Sequence, residues 1–109
     1  MSQIFKEKIS RDIIEELFET YLGKEDNKYV FNKYIFKKMV LNENLEDFCS
    51  ILSPYYHKSK LNIYVDRVHT YKTIATLLRQ ICKFNNINFN SKIKYLNSSY
   101  ETNYYITME

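Results

Sequence analysis

Thr70-Tyr71-Lys72-Thr73-Ile74-Ala75-Thr76-Leu77-Leu78-Arg79-Gln80-Ile81-Cys82-Lys83-Phe84-Asn85 is the stretch on which the fold turns. Its apolar residues Ile74, Leu77, Leu78, Ile81 and Cys82 gather on one side at helical spacing, which predicts an amphipathic helix over 70–85 with Thr70 as its N-cap. On the opposite side Lys72, Thr76, Arg79 and Lys83 recur at i, i+4, i+7 and i+11, so they fall along one line at about 3.6 residues per turn. No acidic residue interrupts this helix. Such a helix needs a core against its apolar side and leaves a row of cations outside.

Downstream of the loop 85–90, two strand-like runs, Ser91–Leu96 and Tyr100–Thr107, flank the turn-forming set Asn97-Ser98-Ser99 and predict a hairpin. Alternation lets Ile93 and Tyr95 face the core with Tyr104 and Ile106, leaving Lys92 and Lys94 on the other face near Asn103 and Tyr105. Upstream, Ile13, Ile14, Leu17, Phe18, Tyr21 and Leu22 mark a helix capped by Ser10, extended backward through most of 2–9 and ended by Gly23. Lys24-Glu25-Asp26-Asn27 reads as a polar loop before a short strand, Tyr29-Val30-Phe31. A brief helix is expected over 33–41. Asn44 then caps another that buries Leu45, Phe48, Cys49 and Leu52 and stops near Ser53, because the residue before Pro54 is pushed out of the α region. Pro54 suits the first position of a new helix. Over 54–66 the alternation of Leu61–Asp66 favours a strand and Ser53-Pro54 a helix, and helix is preferred. The expected architecture is a single α+β domain over 1–109, with four or five helices and a small antiparallel sheet made of the C-terminal hairpin plus the strand near 29–31. The order helix, strand, helices, basic helix, hairpin matches a winged helix-turn-helix.

The chain has 109 residues, room for one core, with 45% apolar and 17% aromatic residues to fill it. No stretch approaches the roughly 18 consecutive apolar residues of a membrane helix, and Met1–Glu7 becomes charged before any apolar run develops, unlike a secretory signal. A soluble, intracellular protein is expected. Cys49 and Cys82 sit in apolar segments without CxxC spacing, as buried hydrophobes in a reducing compartment do. Asn, Ile, Lys, Tyr and Phe abound, while Gly23, Pro54 and Ala75 are single copies. The favoured residues have A/T-rich codons, which implies an A/T-rich genome and mutation bias behind part of the Lys and Asn content.

The net charge of +3 conceals an asymmetry. Residues 1–56 carry eight Lys/Arg against ten Asp/Glu, a balance of −2; residues 57–95 carry eight against Asp66 alone, +7; Glu101 and Glu109 give the tail −2. A one-sided field of this kind attracts polyanions, although a solvated charged face is the commoner outcome.

Most catalytic constellations are excluded by counting. A single glycine rules out Gly-rich phosphate loops, and neither G-x-S-x-G nor H-E-x-x-H occurs. His57 and His69 lack zinc spacing. The carboxylate pairs Glu15-Glu16 and Glu46-Asp47 fall on polar sides or first turns of helices, and Asn97-Ser98-Ser99, formally a glycosylation sequon, reads as a turn. No catalytic residue, metal or cofactor is assigned. The expected activity is binding of DNA or RNA, with Lys72, Thr76, Arg79 and Lys83 meeting phosphates or bases, Gln80 and Asn86 reading base edges, and Lys92 and Lys94 gripping the backbone from the wing. The competing expectation is a protein-interaction module that sets exposed tyrosines and the basic face against an acidic protein. Tyr55-Tyr56 and Tyr104-Tyr105 serve either, with burial of each pair's inward member the simpler fate.

The runs Arg79-Gln80-Ile81-Cys82-Lys83, Ser91-Lys92-Ile93-Lys94-Tyr95, Ser99-Tyr100-Glu101 and Tyr104-Tyr105-Ile106 resemble small proteins of giant, mimivirus-like DNA viruses. The resemblance covers mainly 55–106 and departs at Leu96-Asn97, where an Asp-containing turn would fit the pattern. It implies a viral origin, an A/T-rich genome, and a place in the host cytoplasm, viral factory or virion. It brings no activity with it.

Overall fold

The computed structural model describes residues 8–55 and 70–108. The expectations for 2–7 and 56–66, and for His57 and His69, lie outside the described residues. Four α-helices and a four-stranded antiparallel sheet make up the described part: α1 (Arg11–Tyr21), β1 (Gly23–Glu25), β2 (Lys28–Phe31), α2 (Lys33–Leu41), α3 (Leu45–Leu52), α4 (Tyr71–Phe84), β3 (Asn88–Leu96) and β4 (Ser99–Thr107). A 3-10 turn, Ser53–Tyr55, closes α3 where Pro54 was expected to redirect the chain. No described helix is long and apolar enough to cross a membrane.

Helix α1 begins at Arg11, because Ser10 takes an extended backbone and its hydroxyl accepts from the Ile13 N–H. The expected backward extension therefore fails at residues 8 and 9. Ile9 is instead buried, and its N–H donates to Asn85 Oδ1 at 3.0 Å, which ties the entry of α1 to the end of α4. The helix ends before Gly23, at Leu22, which turns extended and donates its N–H to the Phe18 carbonyl. Gly23 is a strand residue. A Cβ there would lie 2.9 Å from Ile35 Cδ1, so the missing side chain makes room for α2.

The expected polar loop is half strand. Asp26 and Asn27 both adopt left-handed backbone, φ 50° and 66°, the pair of positive φ values that a two-residue turn between twisted strands requires. Gly23 thus pairs with Val30 and Glu25 with Lys28. Strand order is β1-β2-β4-β3, with Phe31 opposite Tyr104, Tyr29 opposite Ile106, and Phe89 opposite Ile106 on the other side. The row formed by Tyr29, Phe31, Phe89, Tyr104 and Ile106 faces the helices. Tyr71 of α4 stacks on Phe31 at 5.3 Å, Phe18 of α1 meets Tyr29 at 5.6 Å, and Phe36 of α2 meets Phe31 edge-on at 6.5 Å. The core between them holds Leu17, Phe18, Phe48, Leu52, Ile74, Leu77, Leu78 and Ile81.

On the other face Asn103 is buried, and its Oδ1 accepts from Asn32 Nδ2 at 2.8 Å. Asn32 in turn caps α2 by accepting from the Ile35 N–H. One amide pair therefore fixes the central strand to the start of a helix. Cys49 and Cys82 are fully buried free thiols, and burial pushes them up to about 11 and about 12, which leaves them unreactive at neutral pH.

Candidate nucleic-acid interface

Helix α4 realises the two-sided pattern. Thr70 and Thr73 form a reciprocal capping box, Ile74, Ala75, Leu77, Leu78, Ile81 and Cys82 are buried, and Lys72, Arg79 and Lys83 are exposed with Thr76 half-buried between them. Gln80 is half-buried and has contacts of its own within the chain, so of the two expected base readers it is the less available. Lys72 and Lys83 lie about 16 Å apart along the axis at 1.5 Å per residue.

The helix ends in two backbone bonds, Ile87 N–H to Cys82 O at 2.8 Å and Asn86 N–H to Lys83 O at 3.4 Å, around Asn86 at φ 59°. That is the Schellman arrangement, which asks for a left-handed residue just past the helix. Asn86 is thus placed by a helix cap, with its side chain exposed.

Two open clefts meet at this connection. One, about 560 Å³, lies between α4 and the outer edge of β3, with Arg79 and Lys83 facing Asn88, Asn90 and Ser91. The other, about 540 Å³, lies between α1 and the same connection and brings Lys8 and Arg11 beside Asn85, Asn86 and Asn88. Ile87 and Asn88 line both. Among the described residues, four cations and no carboxylate line the pair. Lys8 and Arg11 were not among the expected residues; the burial of Ile9 and its hydrogen bond to Asn85, spanning 76 positions, bring them here.

Among the described residues one ion pair occurs, Lys24 with Glu19 at 2.9 Å. Lys72, Arg79, Lys83, Lys92 and Lys94 are therefore all outside ion-pair distance of any described carboxylate. They do not form one surface. Lys92 is paired with Asn103 and Lys94 with Glu101, on the sheet face away from α4. The Lys92 ammonium lies 5.9 Å from the Tyr105 ring centroid, a cation–π contact. Glu101, directly across from Lys94, offsets part of its charge.

The hairpin departs from expectation in its reach. Ile93 and Tyr95 were expected in the core with Tyr104 and Ile106. They do share that face, but Ile93 is 55% exposed, Tyr95 79% and its cross-strand partner Tyr100 67%. The helical layer stops short of them: the Tyr71 hydroxyl, at the start of α4, donates to the Thr102 carbonyl at 2.9 Å, level with Ile93. Helix α4 hence runs from Thr102 down to Asn88, and the tip of the hairpin projects past its Lys72 end.

Comparison with protein-family models, with curated proteins and with solved structures gives no match. The chemistry of the site rests on its own geometry.

Proposed function

We propose that the chain is a small non-enzymatic module that binds DNA or RNA in the manner of a winged helix. The observation that carries this reading is the line Lys72–Thr76–Arg79–Lys83 on α4, free of ion pairs among the described residues, whose Arg79 and Lys83 line a cleft against β3 with no carboxylate among its described residues. A helix so placed presents cations at one edge of a hairpin, and phosphate is the ligand whose charge such an edge complements. The connectivity supports the same reading, since β2, the second of the two strands between α1 and α2, pairs with β4 and the basic helix leads directly into the hairpin. Arg79 and Lys83 act as the main phosphate clamp, Lys72 extends it, and Lys92 and Lys94 contact a backbone that passes around β3. The resemblance to giant-virus proteins would put this role in viral genome expression, organisation or packaging, in the host cytoplasm, viral factory or virion.

A gel-shift series with a salt titration tests it, comparing the wild type with a Lys72→Glu/Arg79→Glu/Lys83→Glu variant whose fold is checked by circular dichroism. Four neutralised phosphates give a log–log slope of about −3.6 on duplex DNA, and the variant should lose binding. Absence of wild-type binding to any nucleic acid at low salt would sink the reading.

A second reading has its own observation. Tyr34, Val40 and Leu41 of α2 are exposed among Lys33, Lys37 and Lys38, and Lys38 lies 5.6 Å from the Tyr34 ring centroid. This surface suits an acidic protein partner with apolar anchors, and binding there would depend far less on salt.

A further inference from the structure

The projecting tip carries apolar surface that the core does not use. Tyr95 and Tyr100 face each other across the last rungs of the hairpin, ring centroids 6.3 Å apart and tilted by 52°. Ile93 continues the patch toward α4. This exposed aromatic pair is open to a ligand, and its surroundings select the ligand. Lys72 begins the cation line on α4 at this end of the hairpin, while Lys92 and Lys94 flank the tip from the opposite face. Flat apolar rings bordered by positive charge match a flat aromatic group tethered to negative charge, which is the chemistry of a nucleotide whose base is unpaired. Paired bases inside a duplex do not offer their faces.

Resting on the function proposed above, we propose that Tyr95 and Tyr100 form a stacking platform for an unpaired base, so that the chain prefers places where a single strand leaves a duplex. The cations of α4 hold the phosphates, and the strand that emerges past Lys72 lays its first free base on the tyrosines. Preference for a junction then comes from stacking, and overall affinity from charge.

The test uses the full chain and three fluorescein-labelled DNAs: a blunt duplex, the same duplex with a short single-stranded overhang, and the overhang sequence alone. Stacking of one base adds about 5- to 150-fold in affinity, so anisotropy should show the overhang duplex bound tighter than the blunt one by a factor in that range. Tyr95→Ala/Tyr100→Ala should bring the overhang duplex down to the blunt value and leave the blunt value unchanged, whereas Tyr95→Phe/Tyr100→Phe should keep the preference. 2-Aminopurine placed at the first overhang position should be quenched on binding the wild type and not on binding the alanine variant. Equal binding of blunt and overhang duplexes by the wild type overturns the platform while the charge-based function stands. Loss of binding to every DNA with the alanine variant, together with a lowered melting temperature, overturns it too, by placing the rings against the protein's own chain. A shift from dimer to monomer on the same substitution, seen by sedimentation, assigns the patch to a second copy and overturns it as well. No binding of any DNA by the wild type removes both the function and the platform.

Discussion

The two hairpins of the sheet are built from similar materials and end up as opposites. In β1–β2 the strands are short and lie beside α1, to which Lys24 and Tyr29 are tied. Glu19 Oε1 accepts from Lys24 Nζ and from the Tyr29 hydroxyl, both at 2.9 Å, and the Lys24 ammonium also lies 5.5 Å from the Tyr29 ring centroid. These bonds hold the Glu19 carboxyl below its usual range, Lys24 contributing most, while burial and the Glu19 contact push Tyr29 up to about 12. In β3–β4 the strands are nine residues each and outrun the helices, so that Tyr95 and Tyr100 remain at the surface, while Lys92 and Lys94 are exposed on the opposite face. Whether a tyrosine on the helix-facing side of the sheet is structural or available depends here on how far the strand extends past the layer that covers it.

The largest test of that contrast compares one aromatic from each region. Phe31 of β2 is fully buried against Phe36, Tyr71 and Tyr104, and Phe31→Ala should cost about 3–5 kcal/mol of unfolding free energy through lost burial and the cavity left behind. Tyr95→Ala should stay within about 0.5 kcal/mol of the wild type. Urea denaturation of both variants measures the difference, and a comparable loss at Tyr95 would mean that the tip is part of the core after all.

An intermediate effect concerns pH, and it belongs to the covered region alone. Burial raises the Cys49 and Cys82 thiols from 9.0 to about 11 and about 12, and raises Tyr29 from 10.0 to about 12. The folded chain therefore keeps protons that the unfolded chain releases. This contribution is fully present below about pH 9 and is lost as pH rises through the folded values near 11 and 12. Unfolding free energy measured by urea between pH 7 and 11 should fall at the alkaline end. Cys82→Ala, less stable throughout, should fall less steeply; an unchanged slope would assign the loss to Cys49 and the tyrosines.

Much of this division could be read from the residues, and the gaps have physical reasons. Helices α1, α3 and α4 were legible because each carries a regular apolar stripe with a recognisable cap. Strand β1 was not, since Gly23-Lys24-Glu25 has no apolar alternation and is held by pairing alone; the Asp26-Asn27 pair between two short runs was the available signal. The parity of the long hairpin was legible too, with Lys92 and Ile93 on opposite faces, but the level at which the helices stop depends on where α4 sits, which no local pattern records. Lys8 and Arg11 were invisible for the same reason. The chain's scarcity of glycine has a structural side as well: its five left-handed residues are Asp26, Asn27, Glu43, Asn86 and Asn97 among those described, so part of the asparagine content attributed to codon bias does the work that glycine does elsewhere. Glu43, past the end of α2 with Asn44 N–H bonded to Met39 O, is the one without an Asx side chain.

The smallest expected effect lies within the exposed hairpin itself. Lys92 and Lys94 stand two residues apart on the same face, yet only Lys94 has a carboxylate across the ladder, Glu101. If both lysines touch a nucleic-acid backbone, Glu101 weakens the nearer contact by competing for the Lys94 ammonium and by repelling phosphate. Glu101→Gln removes that charge with little change in shape. Affinity for duplex DNA should rise a few-fold at low salt, and the log–log salt slope should steepen by up to about 0.9, the increment of one additional phosphate. Lys94→Ala should weaken binding less in the wild type than in the Glu101→Gln background, where it should abolish the gain, because the two substitutions act on one pair. A gain that survives Lys94→Ala would show that Glu101 acts on the ligand directly, and no gain at all would restrict the interface to α4 and its cleft.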